Sequence, residues 1–145
     1  MGKFGIGQPL VRTEDPKFIT GSGMYTDDIN YPNQCYMYVF RSPYASAYIK
    51  NINLQEAKKS NGVIGIFTYA DFEKLSIGNM KPGFMVKNKN NEKMIMTERP
   101  VLASKVVRYV GDPIAVIIAD SYHLAEDAAE LIDIEFEERE SISNT

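Results

Sequence analysis

Apolar positions along the chain fall into short runs that alternate with polar and Gly/Pro-rich breaks, and the runs set the expected elements. Residues 1 to 20 carry Gly5, Gly7, Pro9 and Pro16 and predict no regular element. Phe4, Ile6, Leu10, Val11, Phe18 and Ile19 nevertheless want cover, which makes this an ordered arm rather than a linker. Met24 to Thr26 predicts a short strand closed by a turn at Asp27, Asp28 and Asn30. Cys35 to Arg41 is aromatic and branched and predicts a strand, broken by Ser42-Pro43. Ala47 to Ile52 predicts a second strand. Asn53 with Glu56 three residues on predicts the start of a helix that stops by Gly62. Val63 to Phe67 reads as a buried strand, and Thr68 with Asp71 as a capping box opening a short helix through Leu75.

Residues 76 to 97 predict little regular structure. Lys87 to Lys93 is polar throughout and reads as a solvated loop or hairpin tip. The last third is the most patterned. Val106 to Val110 predicts a strand and Gly111-Asp112-Pro113 a turn. Ile114 to Ala119 is a continuous apolar strand of the kind expected where both faces are covered. Asp120 or Ser121 then caps a helix with Leu124, Ala125, Ala128, Ala129 and Ile132 at helical spacing. Ile132, Ile134 and Phe136 alternate with acidic residues as a half-exposed strand, whose charges discourage edge-to-edge pairing. The fold class is therefore α/β (α+β), a single mixed-sheet domain with two or three helices. The expected layout is an arm over 1–20, the domain over 21–140 and a tail over 141–145. The expected core is Val39, Ile49, Val63, Ile66, Val106, Val116, Ile118, Leu124, Ala128, Ile134 and Phe136.

A length of 145 residues with 44% apolar content suffices for a real core. Sixteen basic against nineteen acidic residues give a net charge of −3, which removes the electrostatic case for nucleic acid or anionic membranes as partners. The longest apolar run, Ile114 to Ala119, is too short to cross a bilayer, and the N-terminus has no apolar signal segment. Cys35 stands alone, so no internal disulfide can form. That fits a cytoplasmic protein, with Cys35 as a small buried residue of a strand.

The search for chemistry is negative. His123 opens the last helix and reads as a surface residue; one His and one Cys make no zinc site. Gly5-Ile6-Gly7 and Gly21-Ser22-Gly23 lack the third glycine and the strand–helix setting of a dinucleotide loop. No Gly-x-Ser-x-Gly is present. Asp27-Asp28 suits a turn or cap better than acid–base work, since neighbours in an extended chain point to opposite faces. No catalytic, cofactor-binding or metal-binding residue is expected in this chain.

Four segments in order carry a resemblance. Arg12 to Pro16 with Thr20 to Asp28 resembles an Arg-x-(Glu/Asp)-x-Pro stretch followed by Thr-Gly-x-(Ala/Gly)-x-Tyr-x-Asp-Asp. Phe40 to Ala45 resembles Arg-Ser-Pro-His-Ala. Asn61 to Asp71 resembles Pro-Gly-Val-x-x-Val-x-Thr-x-x-Asp. Tyr109 to Ala119, with Ala125 to Leu131, resembles Tyr-Val-Gly-Glu-Pro-Val-Ala and its following helix. Together they resemble the N-terminal α/β hammerhead domain of the xanthine dehydrogenase, aldehyde oxidase and aerobic carbon monoxide dehydrogenase group, leaning to the carbon monoxide dehydrogenase-like branch. Tyr44 and Ser46 depart from that pattern, which often has His there.

The resemblance implies a non-catalytic scaffold in a molybdenum hydroxylase (oxidoreductase) large subunit. Molybdenum-pterin cytosine dinucleotide would be held by the molybdopterin-binding part, outside this chain, and flavin and iron–sulfur subunits would complete the parent complex. One cysteine could not carry a cluster. Arg41, Ser42, Pro43 and Tyr44 with Tyr109, Gly111, Asp112 and Pro113 are the interface candidates, because aromatics and arginine are enriched at interfaces. Uncovered, such a surface would drive self-association of the isolated chain. The alternatives are an independent binding or assembly module with the same fold, and a small stand-alone enzyme.

Overall fold

The computed structural model describes residues 11–96 and 98–142. The backbone falls into two compact units, residues 1–34 and 35–145. The readings at Phe4, Ile6, Leu10 and the two glycines between them lie outside the described residues, as does the end of the tail.

In the first unit a one-turn helix, α1 (Asp15–Ile19), forms where no element was expected. Pro16 sits in its first turn, where a missing N–H costs nothing, and the Thr20 hydroxyl donates to the Pro16 carbonyl at 2.7 Å. The strand expected at Met24 to Thr26 is absent. Thr26–Asp28 is instead a 3₁₀ turn, because the Asp28 carboxylate accepts the Tyr25 N–H at 2.8 Å and closes the chain on itself. The rings of Phe18 and Tyr25 stack with centroids 5.1 Å apart over Gly23, whose missing Cβ leaves room for the Phe18 ring.

The second unit is built from β1 (Tyr36–Arg41), β2 (Ala47–Asn53), α2 (Gln55–Lys59), β3 (Val63–Thr68), α3 (Tyr69–Lys74), β4 (Val106–Val107), β5 (Pro113–Ala119), α4 (Tyr122–Glu130) and β6 (Asp133–Glu138). The strands form two three-stranded sheets, β1–β5–β3 and β4–β2–β6, and every pairing is antiparallel. The α/β class stands, but the single mixed sheet is replaced by two. The physical reason lies in α4, which carries the chain from β5 in one sheet to β6 in the other, so that segment is no parallel crossover. Cys35 lies just outside β1 and is exposed rather than buried.

Local signals act largely as the sequence predicts. Thr68 and Asp71 form the capping box of α3, and Ser121 Oγ accepts the Leu124 N–H at 3.3 Å to open α4. Asn53 is not the N-cap of α2. Its pairing with Asp133 extends β2 by one residue, the cap moves to Leu54, and the Asn53 side chain accepts the Gln55 N–H at 3.1 Å. The strand expected over Val106 to Val110 ends at Val107.

One core cluster lies between the first sheet and helices α2 and α4: Ala57, Ile66, Ala115, Ile117, Ala119, Ala125, Ala128, Ala129 and Ile132. Its many alanines let helix and sheet approach closely. A second cluster joins Ala47, Ala103, Val107 and Ile114 under Tyr44, Ile49 and Phe136. Phe40, Ile52 and Ile134 touch both clusters. Of the expected core, Ile66 and Ala128 are buried and the other nine positions are half-buried. The largest fully buried side chains are Leu102, Ile114, Ile117 and Val107.

Candidate docking surface

The two runs singled out in the sequence, 41–44 and 109–113, meet in space. A bulge between Phe40 and Arg41 ends the regular β1–β5 ladder. Beyond it the Ser42 N–H donates to the Asp112 carbonyl at 2.9 Å, and the Gly111 N–H donates back to the Ser42 carbonyl at 2.8 Å. The Arg41 guanidinium donates to the Gly111 carbonyl at 3.0 Å. Ser42 Oγ accepts the Tyr44 N–H and donates to the Tyr44 carbonyl, both at 3.0 Å. Asp112 Oδ2 accepts the Arg108 N–H at 3.0 Å, and the Asp112 N–H donates to the Tyr109 carbonyl at 3.1 Å, closing a tight turn. Gly111 takes a φ of 92°, which side-chain-bearing residues rarely adopt.

The eight candidates divide into frame and contact. Ser42 is buried, contrary to its expected place on an exposed surface, because its hydroxyl is used up in holding Tyr44. Tyr44 is half-buried, its ring 5.0 Å from that of Phe136. Gly111, Asp112 and Pro113 are half-buried in the turn. Arg41, Pro43 and Tyr109 face out, and Val110, at the tip beside Tyr109, is 65% exposed.

Two further surfaces stand apart from these runs, and the first escaped the sequence reading. The face of the first sheet away from α4 carries Met37, Val39, Val116 and Phe67 with Phe72 and Leu75, around an apolar groove of about 580 Å³. Its signal was the parity of Ile114 to Ala119: residues 115, 117 and 119 face the helices, so 116 and 118 face the other way. The second surface is the excursion between α3 and β4. The bridges Met80–Arg99 and Lys87–Lys93 fold it into a hairpin, with Asn91 at a φ of 64° in the turn. The tip expected at residues 87–93 is there.

Among the described residues no group of three or more His, Cys, Asp or Glu side chains is placed to hold a metal ion. No described helix is long and apolar enough to cross a membrane. The shifted titrations have structural causes. The Thr68 backbone N–H, then its hydroxyl and Lys74, hold Asp71 below the usual aspartate range against a partial burial that acts the other way. Lys81 and Asn79 lower Glu98, and Glu137 raises Lys50.

The sequence profile of the family described as aldehyde oxidase and xanthine dehydrogenase, a/b hammerhead domain, matches residues 20–140. The chain is 38% identical over 137 residues to the nicotine 6-hydroxylase large subunit of Paenarthrobacter nicotinovorans, covering 94% of this chain and 16% of that one. Among solved structures, quinoline 2-oxidoreductase from Pseudomonas putida 86 superposes with a TM-score of 0.74 at 35% identity, over 90% of this chain and 16% of its own. A Cu,Mo-CO dehydrogenase superposes with a TM-score of 0.70 at 29% identity, over 92% of this chain and 15% of its own. The chain thus spans about one sixth of the length of the relatives it matches.

Proposed function

Because the chain belongs to the aldehyde oxidase and xanthine dehydrogenase a/b hammerhead family, we propose that it is a non-catalytic scaffold domain that rests against the molybdopterin-binding part of a large subunit. Domains of this kind occur in molybdenum hydroxylase large subunits, which are oxidoreductases. The observation that carries the reading is the frame at 41–44 and 108–113. Its hydrogen bonds are spent internally, and they hold Tyr109 and Val110 outward on a rigid turn. A preorganised tyrosine with an apolar neighbour is the kind of group that anchors protein interfaces.

The chemistry of the parent enzyme belongs elsewhere in this reading. The molybdenum-pterin cofactor would be held outside this chain, and Gly21-Ser22-Gly23 stands between α1 and the 3₁₀ turn rather than between a strand and a helix as a phosphate loop does. Flavin and iron–sulfur subunits would be further partners of the parent complex, in the cytoplasm, with residues 21–140 acting as the domain proper.

The test is co-elution. The purified chain is mixed with a nicotine 6-hydroxylase-type large subunit from which the matching segment has been deleted. Co-elution is expected, and Tyr109→Ala is expected to weaken it at least tenfold, about 1.4 kcal/mol. Failure of the two to associate, or hydroxylase turnover by the chain alone, overturns the reading.

A further inference from the structure

The chain has five arginines, and four of them stand around the Tyr109 turn. The Arg41 guanidinium reaches the Gly111 carbonyl, as described above. An open hollow of about 540 Å³ is lined by Ser46, Arg108, Tyr109, Val110, Arg139 and Glu140 among its residues. A second hollow, of about 170 Å³, is lined by Met80, Glu98, Arg99, Arg108, Tyr109 and Asp112 among others. Arg108 and Tyr109 belong to both, so the two hollows meet at this pair. The fifth arginine, Arg12, lies in the first unit. Lysines supply the other Lys and Arg positions of the second unit.

Among the described residues every ion pair is made by a lysine, namely Lys50, Lys59, Lys74 or Lys81, and none by these four arginines. The carboxylates of the second hollow are engaged. Glu98 is held by Lys81 at 3.0 Å and by the Asn79 amide at 3.2 Å, and Asp112 Oδ2 accepts the Arg108 backbone N–H. In the first hollow Glu140 stands against two guanidinium groups, those of Arg108 and Arg139. Arg139 is held ready. Its guanidinium carbon lies 4.6 Å from the centroid of the Tyr48 ring, and its backbone N–H donates to the Ser46 carbonyl at 2.9 Å. An aromatic ring against the flat face of a guanidinium leaves the in-plane N–H donors for a ligand.

From this ring of unpaired guanidinium groups we infer that the Tyr109 turn selects an acidic segment of a protein partner. One carboxylate of the segment sits on Arg108 and Arg139, and another on Arg99. An apolar side chain between them rests on Tyr109 and Val110, which are 46% and 65% exposed. The planar fork of arginine pairs with a carboxylate through two parallel hydrogen bonds, which fixes orientation as well as charge. Small-molecule sites bury most of their ligand, whereas the larger hollow is open and suits side chains laid across a surface. The net charge of −3 opposes a long polyanion such as nucleic acid. The nicotine 6-hydroxylase large subunit carries the matching segment as 16% of its length, so a relative of this chain has ample polypeptide to supply the partner. The inference rests on the docking reading of the turn and adds the chemistry that the turn recognises.

The experiment has two arms. In the first, the full chain is titrated against the segment-deleted large subunit at low salt and at about 0.5 M, where screening shortens the attraction to a few ångströms. The dissociation constant is expected to rise at least tenfold. At low salt Arg108→Gln with Arg139→Gln should weaken binding at least tenfold, with an unchanged circular dichroism spectrum. Lys87→Gln with Lys89→Gln, the same loss of charge on the hairpin, should leave binding as it was. Association that resists both salt and the arginine changes overturns the inference and leaves the scaffold reading standing. In the second arm the chain alone is titrated with a peptide of alternating glutamate and leucine and followed by nuclear magnetic resonance. Shifts are expected at Arg108, Tyr109 and Arg139, whether or not the large subunit associates. Their absence overturns the inference. So do equal shifts with inorganic phosphate, which would make this a site for small anions.

Discussion

Gly62 and Leu124 are fitted to one another: a Cβ built on Gly62 would stand 2.5 Å from Leu124 Cδ1. The glycine also holds a φ of 74° at the turn into β3, so it answers two demands at once. Gly62→Ala is expected to cost about 1–3 kcal/mol, from left-handed strain plus overpacking. Urea denaturation should show a lower midpoint with an unchanged slope. Adding Leu124→Ala should cost less than the sum of the two single changes, because it removes the atom that clashes.

The two faces of β5 should differ sharply. Ile117 is fully buried under the helices, and Ile118, opposite Met37 in the ladder, is half-buried on the open face. Ile117→Ala is expected to cost about 2–5 kcal/mol. Ile118→Ala should cost clearly less, and the same denaturation experiment ranks them. Equal losses would mean that the open face is covered in solution.

Ser42 is expected to matter more than its size suggests. Truncation to Ala removes the acceptor of the half-buried Tyr44 N–H and should cost about 1–3 kcal/mol. It should also loosen the Tyr109 turn, visible as faster amide exchange at Gly111, whose N–H donates to the Ser42 carbonyl.

Acid should act through Asp71. Its folded-state value is lowered, chiefly by the Thr68 N–H, so its contribution is full above the ordinary aspartate range and is lost as pH falls through the lowered value. Thermal unfolding between neutral pH and about pH 3 should show this loss, and Asp71→Asn should flatten that part of the curve. At neutral pH Asp71→Ala should cost about 1 kcal/mol of capping.

What the sequence disclosed and what it hid follow the range of the interactions. Capping boxes and helix spacing act within four residues, so α3 and α4 were legible from Thr68, Asp71 and Ser121. The division into two sheets rests on partners such as Tyr36 with Ala119, far apart in sequence, and no local pattern encodes them. A continuous apolar run hides its own parity, which is why Val116 and Ile118 were expected inside in place of Ile117. At the candidate surface, residue types located the two runs, but only the hydrogen bonds reveal that Ser42 is frame while Tyr109 is contact.

The strand order has a consequence for the order of synthesis. β1 and β3 pair only with β5, and β2 only with β4 and β6. None of the first three strands pairs with another. On the ribosome they emerge as three unpaired edges and must wait until Val106 and the residues after it have left the exit tunnel. Until then the nascent segment offers sticky strands with no native partner, the condition that recruits chaperones and invites misassembly. Residues 106–138 then supply β5 to the first sheet and β4 and β6 to the second within a few seconds of synthesis.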